Sequence, residues 1–275
     1  MKILITGSKG MLAGALKEAL NDHDLVLWDR EECDITQPDT IGRVVEAQPE
    51  WIINTAAYTA VDACEADATQ AMAVNGTGAQ YLAQAAQQLD VPIINFSTDY
   101  LFDGTKREGY REDDTPNPVS VYGQSKLLGE QLLQKYANKF YIIRTSYLYG
   151  LGGKNIVDTF LNLGRTKSEL SVLADQFSKT TYTDDLARAT VGMISRGVPW
   201  GIYHATNEGV CNWQEFVTKL FELTDIHIPL KPVGMSEFVR PAPRPQYSAL
   251  LNTKLPPLRH WTEALASYLA TRGDA

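Results

Sequence analysis

The sequence is poor in the residues that staple small secreted proteins or hold metal ions. Its 275 residues include only three cysteines, Cys33, Cys64 and Cys211, which are far apart and form no C-x-x-C pair. This spacing excludes a disulfide framework and a cysteine zinc site and predicts buried free thiols. The four histidines also lack the spacing of metal ligands, so the sequence predicts a metal-free site.

Positive charge and long apolar runs are scarce as well. Lys and Arg total 25 against 33 for Asp and Glu, which gives a net charge of −8. This balance excludes a general binder of nucleic acid or anionic membrane, because most of the surface would repel phosphate. No window approaches ~18 apolar residues, and the apolar start at Met1–Gly7 is too short for a secretory signal. We therefore expect no membrane contact and a cytoplasmic location, with any phosphate held at a local site.

Short apolar runs alternate with amphipathic stretches through residues 1–150. The runs are rich in Ile, Val and Leu without strict alternation, as strands buried on both faces require. They lie at Lys2–Gly7, Leu25–Asp29, Trp51–Ala57, Val91–Phe102 and Phe140–Gly150. Helices are expected between them, including 67–88 and 121–139. The pattern predicts an α/β fold of Rossmann type with a doubly wound parallel sheet.

The second half of the chain continues this alternation and then changes in composition. It predicts a strand at 170–174, a helix at 184–196, a strand at 201–206 and a last helix at 258–271. Proline and glycine are frequent between 229 and 257, which indicates loops and short elements. We predict a cofactor-binding domain at 1–150 to which 174–200 return, and a smaller C-terminal substrate-binding lobe at 151–173 and 201–275.

The first strand runs into the stretch Gly7-Ser8-Lys9-Gly10-Met11-Leu12-Ala13 and then into a helix. Such a turn points backbone N–H groups and the positive end of the helix at a diphosphate, and small residues let the backbone approach it closely. Gly7, Gly10, Met11 and Leu12 are therefore candidate cofactor residues. A plain tight turn would also need glycine, so the stretch alone does not decide between the two interpretations.

Polar and small residues at the ends of the next strands extend the predicted cofactor site. Asp29 ends the second strand about twenty residues after the glycine turn, where a carboxylate can hold the adenosine ribose hydroxyls. Arg30 follows it and could pair with a 2′-phosphate, so NADH and NADPH both remain open. The other candidates, near the adenine and the central phosphates, are Asp34, Ile35, Thr55, Ala56 and Ala57.

Tyr122 and Lys126 place a phenol and an ammonium on one face of the predicted helix, four residues apart. They follow Ser97-Thr98-Asp99, at the carboxyl end of the fourth strand, where open α/β sheets place their ligands. A surface tyrosine beside a solvated lysine would give the same spacing, and a buried threonine often bonds only to backbone. The combination nevertheless favours catalysis by Tyr122, Lys126 and Thr98.

The chemistry of ketone reduction explains these residue types. Hydride that arrives at a ketone carbon leaves negative charge on oxygen, and a positioned hydroxyl must protonate it. Tyrosine has a pKa of ~10, and a nearby ammonium is expected to lower the pKa of Tyr122. Thr98 could donate a second hydrogen bond to the carbonyl oxygen.

These residues resemble the dTDP-4-dehydrorhamnose reductase family, extended short-chain dehydrogenases/reductases that act on nucleotide-linked sugars. The strings that carry the resemblance run through almost the whole chain. They are Thr6–Gly10, Ala56–Asp62, Ser97–Gly104, Tyr122–Glu130, Arg144–Gly150, Gly201–His204 and Arg244–Ser248.

The resemblance implies NADPH- or NADH-dependent reduction of the C4 ketone of dTDP-4-dehydro-L-rhamnose to dTDP-L-rhamnose. It implies that Thr98 and Asp99 contact the sugar, that Tyr122 is the acid, and that Lys126 also holds the nicotinamide ribose. Tyr147 stands where many relatives have Trp against the sugar. Asn155, Arg240 and Arg244 are candidates for the diphosphate, since a guanidinium suits phosphate oxygens.

Departures from the family pattern leave alternatives open. Ala13 replaces the usual third glycine, Asn252 stands where Asp is commoner, and Ala15 occupies the place of a Glu in relatives that bind magnesium between subunits. We therefore expect no metal, and a homodimer is allowed without being required. Tyr147 makes a reductase for another dTDP-4-keto-6-deoxy sugar the first alternative. A non-catalytic NADP-binding regulatory subunit, which would not need Tyr122 and Lys126, is the second.

Overall fold

The structure is a computed structural model that describes residues 1–273, so residues 274 and 275 of the predicted substrate lobe lie outside the described residues. Its strands are β1 (Lys2–Thr6), β2 (Asp24–Trp28), β3 (Trp51–Asn54), β4 (Ile93–Thr98), β5 (Phe140–Thr145), β6 (Leu148–Tyr149), β7 (Leu170–Leu173), β8 (Phe177–Ser178), β9 (Thr181–Tyr182), β10 (Gly201–His204), β11 (Cys211–Asn212) and β12 (Leu230–Val233). Its α-helices are α1 (Met11–Ala19), α2 (Thr40–Ala47), α3 (Val61–Ala66), α4 (Ala68–Met72), α5 (Gly78–Leu89), α6 (Val121–Tyr136), α7 (Ile156–Thr166), α8 (Thr183–Arg196), α9 (Trp213–Leu223) and α10 (Trp261–Arg272). A π-helical turn joins α4 to α5 at Ala73–Thr77.

Six parallel strands form the central sheet in the order β2-β1-β3-β4-β5-β10. β2 and β3 lie on opposite sides of β1, so the order in which strands are added to the sheet changes direction after β2. Open sheets of this kind bind ligands at the carboxyl edge, beside the point of reversal. The structure confirms the predicted doubly wound α/β fold.

Helices cover both faces of this sheet because alternate strand residues point to opposite sides. Ile3 and Ile5 pack with α1 and α8 in one apolar core. Leu4 packs with α2, α5 and α6 in the other. The side chains of Ile3, Leu4 and Ile5 are fully buried, as expected for a strand with helices on both faces of its sheet.

A third apolar core lies outside the sheet. It contains residues of α7, α9 and α10 together with the short strands β7, β9 and β11. The predicted boundary at residue 201 is wrong in one detail, because β10 pairs with β5 and extends the main sheet. The remaining division into cofactor domain and substrate lobe stays a prediction.

Two predicted elements differ from the structure. The strand expected at 140–150 ends at Thr145, and the chain turns at Tyr147, where φ is +41°, before β6 pairs with β9 outside the main sheet. The loop region expected at 229–257 contains a strand, β12, which pairs with β7. Between residues 1 and 273, none of the helices has the length and apolar character needed to span a bilayer.

Candidate active site

The carboxyl ends of four neighbouring strands carry the predicted site residues. Gly7 follows β1, Thr55 follows β3 and Asp99 follows β4, and Tyr147 lies two residues beyond the end of β5. Because these strands are parallel and adjacent, their ends lie along one edge of the sheet. The fold therefore gathers segments that are far apart in the sequence.

Two neighbouring cavities open at this edge, one of about 420 Å³ and one of about 340 Å³. We call the larger the catalytic cavity and the smaller the adenosine-side cavity. Of the predicted residues, the catalytic cavity is lined by Gly10, Met11, Leu12, Thr55, Ala56, Ala57, Thr98, Asp99, Tyr122, Lys126 and Tyr147. The adenosine-side cavity is lined by Gly7, Gly10, Asp29, Arg30, Asp34, Ile35, Thr55, Ala56 and Ala57. The shared residues join the two cavities into one elongated cleft.

The glycine turn lies in the middle of this cleft. Gly7 has a φ of +68°, and a Cβ there would lie 2.6 Å from the backbone nitrogen of Ala56, so only glycine fits. Gly10 precedes α1 and supplies no side-chain cap, which leaves the first-turn N–H groups of the helix without a side-chain acceptor. Residues 10–13 line the catalytic cavity. This set of donors fits the diphosphate of a dinucleotide.

Asp29 and Arg30 occupy different positions around the adenosine-side cavity. The Asp29 carboxylate accepts hydrogen bonds from the backbone N–H groups of Lys9, at 3.0 Å, and of Arg30, at 2.8 Å. It thereby fixes the glycine turn to the end of β2. The Arg30 side chain is 77% exposed and has one weak ionic contact, 3.6 Å from Nε to Asp34 Oδ2. Its guanidinium is available to an anion.

Close packing of α6 against the end of β4 positions Tyr122. Ser120 caps the helix by accepting a hydrogen bond from the Gly123 N–H at 3.2 Å. A Cβ at Gly123 would lie 2.2 Å from the carbonyl oxygen of Tyr100, so glycine is required for this approach. The Tyr122 ring then lies edge-on to the Tyr100 ring, with centroids 5.8 Å apart, and borders the catalytic cavity.

Lys126 lies one turn further along α6 and is buried. Its Nζ donates a hydrogen bond to the carbonyl oxygen of Phe96 at 2.6 Å. Burial lowers the pKa of Lys126 to about 8, against the opposing effect of Glu130. The pKa of Tyr122 is raised, chiefly because protein surrounds the ring, with an opposing contribution from the Thr98 hydroxyl. The expected lowering of the Tyr122 pKa by Lys126 is wrong for this structure, because the ammonium is bonded to a β4 carbonyl.

Thr98 and Asp99 form a hydrogen-bonded unit at the end of β4. The Thr98 hydroxyl accepts from the Tyr100 N–H at 3.2 Å and donates to Asp99 Oδ1 at 3.3 Å. The other carboxylate oxygen of Asp99 accepts from Ser178 at 3.0 Å and from Ser248 at 2.5 Å. Asp99 is 2% exposed, and burial raises its pKa to about 6. The carboxylate therefore joins Thr98 to Ser248 of the predicted substrate lobe.

Replacement of Asp99 by Asn should stabilise the protein at neutral and alkaline pH. Folding raises the Asp99 pKa from ~3.9 to about 6, so the unfolded chain is the better acid. The stability that this carboxyl contributes is complete below about pH 4 and is lost as pH rises through about 6. We expect Asp99→Asn to match the unaltered protein at pH 4 and to exceed its unfolding free energy by up to about 3 kcal/mol at pH 8. Denaturant unfolding at both pH values tests this, and a difference independent of pH would refute it.

Tyr147 and Arg244 lie on the lobe side of the catalytic cavity. Tyr147 Oη accepts a hydrogen bond from Gln176 Nε2 at 2.9 Å and lies 3.4 Å from Tyr100 Oη. The Arg244 guanidinium binds both carboxylate oxygens of Asp62, at 2.9 and 3.0 Å, and lowers the pKa of that carboxyl. This ion pair connects α3 with the proline-rich segment of the lobe.

The three diphosphate candidates do not come together. Arg240 and Arg244 line one cavity of about 220 Å³, next to Gln176. Asn155 is 7% exposed and caps α7: its Oδ1 accepts from two backbone N–H groups, and its Nδ2 donates to the Gly150 carbonyl and the Tyr268 hydroxyl, each at 3.0 Å. The assignment of Asn155 to the diphosphate is wrong, because the amide has no group left for a phosphate. Asn before an amphipathic run is a helix N-cap signal that the sequence already contained.

Sequence reasoning missed several polar residues of the site. Tyr100 and Ser146 line the catalytic cavity, Ser178 and Ser248 bind Asp99, and Gln176 binds Tyr147. Tyr100 lies inside the string Ser97–Gly104, next to residues that were selected. Ser146 and Ser248 likewise lie inside the strings Arg144–Gly150 and Arg244–Ser248. Gln176 and Ser178 have no local signal, because their partners Tyr147 and Asp99 are distant in the sequence.

Among residues 1–273, no three His, Cys, Asp or Glu side chains are grouped so that they could hold a metal ion. The prediction of a metal-free site therefore stands as a prediction.

Comparisons with known proteins match the whole of this architecture. A family model described as the RmlD substrate binding domain matches residues 1–273. The chain is 37% identical over 279 residues to dTDP-4-dehydrorhamnose reductase of Mycolicibacterium smegmatis, with 98% of this chain and 85% of the relative covered. It is 38% identical over 281 residues to the spore coat polysaccharide biosynthesis protein SpsK of Bacillus subtilis, with 100% and 99% covered.

Solved structures agree with these sequence matches. A dTDP-4-dehydrorhamnose reductase from Clostridium acetobutylicum superimposes with a TM-score of 0.96 at 39% identity, over 99% of this chain and 100% of that chain. The dTDP-4-dehydrorhamnose reductase of Bacillus anthracis, solved in complex with NADP, gives a TM-score of 0.95 at 36% identity, over 98% and 99%.

Proposed function

The chain belongs to the RmlD substrate binding domain family, and from this premise we propose that it is an NADPH- or NADH-dependent dTDP-4-dehydrorhamnose reductase. The reaction is reduction of the C4 ketone of dTDP-4-dehydro-L-rhamnose to dTDP-L-rhamnose. One observation carries the proposal: Tyr122, Lys126 and Thr98 line the same cavity as the first turn of α1. A proton donor is thereby placed in the same cleft as a set of diphosphate donors.

The residues of the cleft fit a nicotinamide dinucleotide along its whole length. Residues 7 and 10–12 would hold the diphosphate, Asp29 and Arg30 the adenosine ribose, and Lys126 the nicotinamide ribose. When bound, this cofactor supplies the hydride. The remaining chemistry, which is delivery of a proton and stabilisation of charge on oxygen, falls to side chains of the protein.

Tyr122 is the proton donor in this proposal. An acid must carry its proton when the substrate arrives, and the raised pKa of Tyr122 keeps the phenol protonated at neutral pH. Lys126 lies one helical turn from Tyr122 and would hold the nicotinamide ribose, and its pKa of about 8 leaves the ammonium mostly charged at pH 7. Thr98, whose hydroxyl donates to Asp99 Oδ1 in the structure, would turn its hydrogen toward the same substrate oxygen when the sugar is bound.

Turnover by the purified protein tests this function directly. We expect loss of NADPH or NADH absorbance on addition of dTDP-4-dehydro-L-rhamnose, one cofactor per sugar. A panel of other dTDP-4-keto-6-deoxyhexoses addresses the second candidate, a reductase for a different sugar, which the position of Tyr147 at the catalytic cavity favours. If no ketosugar causes oxidation of NADPH or NADH, both reductase candidates are contradicted. That result would favour the alternative of a non-catalytic NADP-binding regulatory subunit.

The position of Arg30 predicts a preference between the cofactors. An exposed guanidinium at the adenosine-side cavity can pair with a 2′-phosphate, whereas the Asp29 carboxylate already accepts two backbone N–H groups. We expect Arg30→Ala to raise the Kd for NADPH about 10-fold and to change the Kd for NADH less than about 2-fold. Fluorescence titration measures both constants.

Arg43→Ala is the matched control for this substitution. Arg43 stacks on Trp28, 5.9 Å from its ring centroid, and does not line the cavity. Equal weakening of NADPH and NADH by Arg30→Ala would refute the assignment.

We also propose a cytoplasmic location, where a charged nucleotide sugar and a charged dinucleotide can both reach the cleft.

A further inference from the structure

Gln176 lies buried between the catalytic cavity and the lobe, with 3% of its surface exposed. Its Oε1 accepts a hydrogen bond from Trp213 Nε1 at 3.3 Å, and its Nε2 donates to Tyr147 Oη at 2.9 Å. An indole N–H can only donate, so the amide atom that faces Trp213 must be the oxygen. The atom that faces Tyr147 is therefore the NH2 group, and this hydrogen bond has a fixed direction.

This direction is passed on to the next two hydroxyls. Because Tyr147 Oη accepts from Gln176, its own hydrogen must point elsewhere, and Tyr100 Oη lies 3.4 Å away. Tyr147 Oη can donate this hydrogen to Tyr100 Oη, and in that arrangement Tyr100 is the acceptor.

The hydroxyl hydrogen of Tyr100 is the one that remains. Within residues 1–273, the Tyr147 hydroxyl is the one hydroxyl or carboxylate that lies within hydrogen-bond distance of Tyr100 Oη. The Tyr100 side chain borders the catalytic cavity with Tyr122 and Thr98. A donor hydrogen is thus left beside the group that would protonate the ketone.

We propose that Gln176, Tyr147 and Tyr100 form a directional hydrogen-bond chain that ends in a donor for an oxygen of the bound ketosugar. Tyr100 is then a specificity-determining residue, and Gln176 is a positioning residue that acts through Tyr147. The inference rests on the proposed function and deepens it, because it states that the sugar must present an acceptor oxygen to Tyr100.

The strained backbone of Tyr147 supports this role. Its φ of +41° is rare for a bulky residue, so surrounding contacts must hold it. The Tyr147 ring packs edge-on against Trp213, with centroids 4.6 Å apart, and edge-on against Tyr100 at 6.3 Å. These contacts and the Gln176 amide fix the hydroxyl in one place, as recognition of a sugar oxygen requires.

The test compares Tyr100→Phe, Gln176→Met and the double variant in steady-state turnover of the preferred dTDP-ketosugar. Loss of one hydrogen bond to the sugar should raise KM about 10-fold in Tyr100→Phe, with kcat and the Kd for the cofactor within about 2-fold. Gln176→Met fills similar space without a donor and should raise KM about 3-fold or more. The double variant should be no worse than Tyr100→Phe, because both changes remove the same interaction.

Tyr203 in the edge strand β10 provides a matched Tyr→Phe control. The Tyr203 hydroxyl donates to the Pro199 carbonyl, away from both cavities, so Tyr203→Phe should leave KM unchanged. If the KM increases of the two single variants multiply in the double variant, the hydrogen-bond chain is contradicted and the proposed function is not. The same holds if the substitutions change only kcat or only the Kd for the cofactor. Absence of turnover in the unaltered protein would overturn the proposed function and the chain together.

Discussion

Tyr122→Phe should reduce turnover of the ketosugar by roughly 10²- to 10⁴-fold, the range that a positioned general acid contributes. The substitution removes one oxygen from a ring that stays packed against Tyr100. The Kd for the cofactor should therefore change less than about 2-fold, because the glycine turn and the first turn of α1 are untouched. Single-turnover rates and fluorescence titration measure the two effects separately.

A second tyrosine on the same helix provides the control. Tyr136 ends α6 and lies outside both cavities, so Tyr136→Phe should retain full turnover. Retention of more than about a tenth of the activity by Tyr122→Phe would show that another group delivers the proton. In that case Thr98 would be the next candidate, since it lines the same cavity.

The cofactor half of the cleft could be predicted from the sequence because its signals are local. A strand, a glycine turn and a helix follow one another within residues 2–19, and each is specified by its own residues. The ends of strands and helices could be predicted less accurately, and the strand expected at 140–150 shows the reason. The apolar run continues to Tyr149, but Tyr147 adopts a positive φ and redirects the chain into a different sheet. Contacts from segments distant in the sequence, such as the hydrogen bond of Gln176, hold that turn.

The lobe side of the site could not be predicted because its contacts join distant segments. Asp99 binds Ser248, 149 residues later, and Arg244 binds Asp62, 182 residues earlier. Asn155 has the composition of a ligand residue and the position of a helix cap, and its four hydrogen bonds decide for the cap. Residue type suggests chemistry, but the partners of a side chain determine whether that chemistry is available.

A buried ion pair behind the active site gives the second large effect. Arg144 and Glu130 are 2% and 1% exposed, and the guanidinium donates to both carboxylate oxygens, at 3.0 and 2.8 Å. Glu130→Ala should lower the free energy of unfolding by about 3–5 kcal/mol, because it leaves a charged guanidinium buried without its partner. Equilibrium denaturant unfolding measures the loss.

The same substitution should also change the pH dependence of turnover, which separates this pair from an ordinary packing contact. Glu130 lies one helical turn beyond Lys126 and raises its pKa against the effect of burial. Without the carboxylate, the pKa of Lys126 should fall below about 8, so the alkaline limb of the pH profile should move to lower pH.

The double variant Glu130→Leu with Arg144→Leu should recover part of the stability, since apolar groups can replace a buried pair at little cost. It should keep the shifted profile, because it too lacks the charge beside Lys126. A profile unchanged in both variants would mean that the charge of Lys126 does not limit the reaction.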